Sequence, residues 1–195
     1  MKKAIFLHGF YASGSCPMAL TLRGALKEEI EIFTPDLPFH PNEALYFMRK
    51  LCASIHPDML IGNSNGAFLA QMLATELQIP ALLGNPHLKM SEFVGVRIGE
   101  NRYKSPRKDG KQNFIIESSL VEEFAELEQH QWDNWNSSMR NLCVGLFGEK
   151  DTLAHFEPEF RKHYDKAYHF PGDHTPKVDE VREWYVPRVI KMLDL

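Results

Sequence analysis

The chain has 195 residues, 44% of them hydrophobic and 25% charged, enough for one well-buried core and short for two. A formal charge of -4 and a pI near 6.1 leave no electrostatic footprint for a nucleic-acid partner. No apolar run nears the roughly 20 residues needed to cross a bilayer, and Ala4–Leu7 is too short for a signal-peptide core.

A soluble cytoplasmic protein with a small-molecule substrate and no membrane partner is therefore expected. The three cysteines, Cys16, Cys52 and Cys143, lie far apart without metal-ligand or redox spacing. They read as reduced, passive thiols, with neither metal nor cofactor implied. The sequence carries no signal of oligomeric state.

In chain order, Ala4–Leu7 reads as a first buried strand, followed by the loop His8-Gly9-Phe10-Tyr11. Pro17–Lys27 reads as a helix and Ile30–Phe33 as the second strand. Asn42–Ser54 is amphipathic, with Ala44, Leu45, Met48, Leu51 and Cys52 on one face. Asn42 is its expected cap, with Pro41 discouraging an earlier start. Met59–Ile61 is the third strand. The next helix, Asn65–Leu77, is apolar nearly all round and expects burial against a sheet. Ala81–Leu83, Leu142–Phe147 and Ala167–Phe170 complete six strand candidates, and Glu157–Tyr164 and Val178–Leu193 are the last helices. Short apolar strands alternating with helices predict an α/β fold, a mostly parallel sheet with helices on both faces.

Residues 87–140 break the alternation, with no clear strand signal. They read as a helical and loop cap-like insertion in one domain spanning 1–195. A basic run (Arg97, Arg102, Lys104, Arg107, Lys108, Lys111) precedes an acidic one (Glu117, Glu122, Glu123, Glu126, Glu128). Two solvated faces that partly neutralise each other is one reading; contact with an anionic part of a substrate is the other. Phe114, Phe124, Trp132 and Trp135 are core residues or the lining of an apolar pocket.

The pentapeptide Gly62-Asn63-Ser64-Asn65-Gly66 matches G-x-S-x-G, between an apolar strand and a helix. A serine on so tight a turn needs small neighbours, which Gly62 and Gly66 supply. The alternative is a serine that merely caps the helix. An active serine needs a base and an orienting acid, in the order serine, acid, histidine. Asp151 follows the fifth strand and His174 the sixth, both at the sheet edge that carries Ser64. Glu149 is the alternative acid; Asp173 adjoins His174 but neighbouring side chains seldom pair. Backbone N–H groups of Asn65 and Phe10 are the expected oxyanion donors, with Tyr11 the alternative to Phe10. Gly9 lets that loop turn inward and His8 shapes it.

The chain resembles the small YqiA-like esterases of the α/β-hydrolase superfamily. The resemblance rests on Phe6–Phe10, Pro35–Pro38, Gly62–Gly66, Gly84-Asn85-Pro86, Glu100–Tyr103 and Gly172–His174. It implies a three-layer α/β-hydrolase fold without the first antiparallel strands, and hydrolysis of short acyl esters or thioesters without a metal. Asn65 departs from the pattern, since many relatives carry Leu or another apolar residue there. The expected function is a serine hydrolase forming an acyl-enzyme on Ser64. An acyltransferase using the same nucleophile and a non-catalytic binding module are the alternatives.

Overall fold

Six apolar runs pair into one wholly parallel sheet in the computed structural model, which describes all residues from Met1 to Leu195. The strands are β1 (Lys2–Leu7), β2 (Ile30–Phe33), β3 (Met59–Asn63), β4 (Ala81–Gly84), β7 (Cys143–Gly148) and β8 (Lys166–Phe170). Their spatial order is β2-β1-β3-β4-β7-β8. Every residue of β3 and β4 is buried, as expected for central parallel strands covered on both faces.

Alternation along β1 sorts the two cores. Ile5 and Leu7 join a cluster with α2 (Pro41–Ile55), α3 (Asn65–Leu77) and α5 (Ser118–His130). Ala4 and Phe6 face the opposite cluster, built with α1 (Pro17–Leu26) and the C-terminal helical segment. After α6 (Glu157–His163), which packs on β7 and β8, that segment runs through α7 (Val178–Glu180), a π-helical turn (Val181–Tyr185) and α8 (Val186–Met192). The result is the expected three layers. No helix is long and apolar enough to cross a membrane.

Two local expectations are corrected. Pro41 begins α2 rather than delaying it, with His40 as the capping residue. Proline suits the first helical position, where its missing N–H has no partner to lose. Residues 87–140 also contain strands. Besides α4 (Met90–Gly95) and α5 they hold an antiparallel ribbon of β5 (Gly99–Arg102) and β6 (Asn113–Ile116). The sequence Gly-Glu-Asn-Arg of β5 alternates half-buried and exposed residues without an apolar one, so no hydrophobic period betrays it.

Most of the charged residues in the two runs, among them Arg102, Lys104, Lys111, Glu117, Glu122 and Glu126, are exposed, and the less exposed ones bond to groups outside the opposite run. Glu123 bonds to His40 at 2.8 Å, and Glu128 accepts from Ser91 at 2.6 Å. Arg97 donates to the Phe93 carbonyl, and Arg107 to that of Leu37.

Strand register brings the site together. Leu7 lies opposite Gly62, Asn63 opposite Gly84, Gly84 opposite Leu146, and Gly148 opposite Phe170. His8, Ser64, Asn85, Asp151 and His174 therefore all emerge at the carboxyl edge, where open α/β sheets gather their functional loops.

Candidate active site

Ser64 occupies the bend between β3 and α3 at φ 56° and ψ -120°, backbone angles that a non-glycine residue seldom adopts. Close packing explains both glycines of the pentapeptide. A Cβ on Gly62 would lie 2.4 Å from the Gly66 carbonyl oxygen, and one on Gly66 would lie 2.0 Å from that of Leu7. Ser64 N–H donates to the Gly84 carbonyl at 2.9 Å, anchoring the bend to β4.

Two short hydrogen bonds link the three residues singled out by sequence. His174 Nε2 lies 2.7 Å from Ser64 Oγ, and His174 Nδ1 lies 2.8 Å from Asp151 Oδ2. An ionised carboxylate only accepts, so Nδ1 carries the proton and Nε2 is free to accept from the hydroxyl. The other Asp151 oxygen accepts from the Leu153 and Ala154 N–H groups at 2.7 and 3.1 Å. Burial alone would raise this carboxyl's pKa. The hydrogen bonds from His174, Leu153 and Ala154 outweigh it and hold the pKa below the ordinary carboxylate value.

The competing groups lie apart from this chain. Glu149 is exposed, and Asp173 contributes only its carbonyl, to Asn85. His169 bonds to Glu157, and His163 stacks on Trp132 with ring centroids 3.6 Å apart. All three thiols are free and buried.

The loop after β1 lies against the serine: the nearest atom to a Cβ built on Gly9 is Ser64 Cβ, at 3.6 Å. That spacing is ordinary contact, and Gly9 has no positive φ, so neither space nor conformation requires glycine there. His8 pins the loop from beneath. Its Nδ1 donates to the Gly9 carbonyl at 2.8 Å, and its Nε2 accepts from Leu37 N–H at 2.9 Å. Burial lowers its pKa to about 4, so it is a neutral spacer.

Ala12 N–H closes this loop on the Gly9 carbonyl at 3.0 Å, leaving the Phe10 amide outside the loop's backbone bonding. Asn65 is the first residue of α3, where N–H groups lack helical partners. The Phe10 ring is buried edge-on against Phe93, Phe114 and Phe124. Phe114 and Phe124 thus belong to the main core, and Trp132 and Trp135 pack against it. The Tyr11 hydroxyl donates to Asn101 in the ribbon at 2.6 Å.

Two residues at the site carried no assigned role from sequence. Asn85 is fully buried beneath the loops of Asp151 and His174; its only signal was a strand-ending asparagine before proline. His87 is buried beside His174, with its own N–H 3.4 Å from the Ser64 carbonyl. One histidine among nine gives no such signal. Two surface cavities, of about 790 and 760 Å³, are lined by none of Ser64, Asp151 and His174. Chemistry rather than cavity size locates the site.

Comparison with known proteins agrees with this architecture. Est1E from Butyrivibrio proteoclasticus is similar in structure, with a TM-score of 0.73 and 14% identity over 100% of this chain and 89% of that one. A monoacylglycerol lipase from Paleococcus ferrophilus gives 0.69 and 14%, covering 97% and 94% of the two chains. The esterase domain of a Rhodothermus marinus protein gives 0.64 and 18%, covering 97% and 87%. At such identities the likeness establishes the α/β-hydrolase fold. The model of an uncharacterised protein family, UPF0227, matches residues 3–169. The chain belongs to this family, the YqiA-like group of the α/β-hydrolase fold.

Proposed function

We propose that the protein is a serine hydrolase that cleaves carboxylic esters or thioesters through an acyl-enzyme on Ser64. The observation that carries this reading is the continuous hydrogen-bonded chain from Asp151 through His174 to Ser64, at 2.8 and 2.7 Å. Few structural needs would place a half-buried hydroxyl on a strained turn against an imidazole backed by a buried carboxylate.

In this mechanism Ser64 Oγ attacks the acyl carbon while His174 Nε2 takes its proton. Asp151 holds the imidazole in the required tautomer and offsets its positive charge. The carbonyl oxygen becomes an oxyanion held by the N–H groups of Asn65 and Phe10, each worth roughly 3 kcal/mol in comparable sites. Collapse breaks the ester bond, and His174 returns its proton to the leaving alcohol or thiol. Water then enters, gives a proton to His174 and attacks the acyl-enzyme, releasing the acid and restoring Ser64.

Est1E, a fold relative, is described with ferulic acid bound, and others are named lipase or esterase. An acyl ester is the linkage that the arrangement around Ser64 also suits. Turnover of p-nitrophenyl acetate and labelling by a fluorophosphonate test the reading. Wild type is expected to hydrolyse the ester and to be labelled at Ser64, and Ser64→Ala to do neither while remaining folded. Full turnover by Ser64→Ala would remove the serine from the reaction.

A further inference from the structure

His174 stands in a loop without regular structure between β8 and α7, so something outside that loop must fix its position. The carboxamide of Asn85 is placed to do so. Its Nδ2 donates to the carbonyls of both Asp173 and His174, each at 3.0 Å. Its Oδ1 accepts from Gly148 N–H at 2.7 Å. Gly148 opens the turn that ends in Asp151, whose N–H bonds back to the Gly148 carbonyl at 3.1 Å. One side chain therefore spans the backbone of the imidazole's loop and the backbone that leads to its carboxylate partner.

These two loops are also joined to each other, and tightly. Glu149 N–H donates to Phe170 and Lys150 N–H to Gly172, both at 2.9 Å. A Cβ on Gly148 would stand 2.6 Å from the Gly172 carbonyl oxygen. The amide sits beneath this junction, fully buried, and the backbone N–H of Asn85 is bonded to Leu146 at 2.9 Å.

The identity of the residue is fixed twice. At φ 42° the backbone is left-handed, which asparagine tolerates better than most side chains. Two donors facing two carbonyls and one acceptor facing an N–H match a carboxamide. An aspartate would turn lone pairs toward both carbonyls, and an apolar side chain would take the partner from the Gly148 N–H and the Asp173 carbonyl and leave that of His174 only the longer bond from Asn63 Nδ2, at 3.5 Å.

We propose that Asn85 is a positioning residue for the reaction, setting the distance between the His174 backbone and the Asp151 turn so that the imidazole reaches both Ser64 and Asp151. The proposal rests on the serine-hydrolase reading above. Displacing a reacting group by about 1 Å costs on the order of 100-fold in rate. A positioning residue that does not touch the substrate lowers kcat and leaves KM nearly unchanged.

Asn85→Gly keeps the left-handed backbone without the amide, whereas Asn85→Asp keeps the shape and the acceptor without the donors. Each folded variant, checked by circular dichroism at the assay temperature, is expected to lose about 100-fold in kcat for p-nitrophenyl acetate. KM should stay within about threefold, and fluorophosphonate labelling of Ser64 should slow in parallel with kcat. A folded variant that keeps wild-type kcat and labelling rate, or that changes KM alone, overturns the assignment. Absence of labelling in the wild type overturns instead the serine-hydrolase reading beneath it.

Discussion

His87 stands edge-on to His174, with ring centroids 6.4 Å apart and ring planes at 87°. Two imidazoles this close cannot comfortably both be charged. Burial first, then the charge that His174 can carry, lowers the His87 pKa to about 4. His8 is lowered to about 4 as well, chiefly by burial. Between pH 4 and 6.5 the unfolded chain binds these two protons and the native chain does not, so stability rises with pH across that window. Acidification from pH 7 to pH 5 should remove about 2 kcal/mol for each histidine. His87→Phe, which suits a ring lying beside Phe93 and Phe156, should shrink this loss by about half. Urea unfolding of both proteins at the two pH values measures it; equal losses would contradict a neutral His87.

The bend at Ser64 stores conformational strain, because φ 56° with ψ -120° suits glycine and few other residues. Ser64→Gly and Ser64→Ala should both be inactive. The glycine variant should nevertheless be the more stable by about 1 kcal/mol, despite glycine's larger loss of chain entropy. Denaturant midpoints of the pair test the strain independently of activity.

Asp151→Asn should lower kcat by about 10³- to 10⁴-fold with little change in KM, since an amide can donate to Nδ1 and favour the wrong tautomer. Glu149→Gln, at an exposed residue, should leave turnover at the wild-type level. Steady-state kinetics of the two variants separate the acids; the reverse pattern would shift the role to Glu149.

Gly66→Ala would push a methyl group into the Leu7 carbonyl at 2.0 Å. Because the obstacle is backbone, the sheet edge itself would have to shift, and a loss of about 3 kcal/mol or more is expected. Gly9→Ala meets its nearest atom at 3.6 Å and should change stability by less than about 1 kcal/mol. Thermal unfolding distinguishes a glycine needed for space from one that is not.

The six sheet strands were legible because burial on both faces leaves continuous apolar runs such as Met59–Ile61 and Leu142–Phe147. The three linked side chains were legible because each follows such a run at the same sheet edge. The β5–β6 ribbon escaped notice for the opposite reason: Glu100 and Arg102 are exposed, and only Phe114 and Ile116 of β6 are buried. The π-helical turn Val181–Tyr185 leaves no composition signal either. It lies where Tyr185 is buried against Gly84 and directs its hydroxyl toward Asn63 Oδ1 at 3.4 Å. The part played by Asn85 depends on carbonyls 88 and 89 residues away, a relation no local pattern contains.

The aromatic cluster around Phe10 ties access to chemistry. The Phe10 ring, on the loop proposed to supply an oxyanion donor, is packed edge-on against Phe93, Phe114 and Phe124, all from the stretch that interrupts the sheet. That stretch cannot swing outward as a detached flap without loosening the backbone on which the Phe10 amide is carried. In the proposed hydrolase, a substrate admitted by small side-chain displacements would leave that donor in place, whereas lifting the whole stretch would disturb it at every turnover.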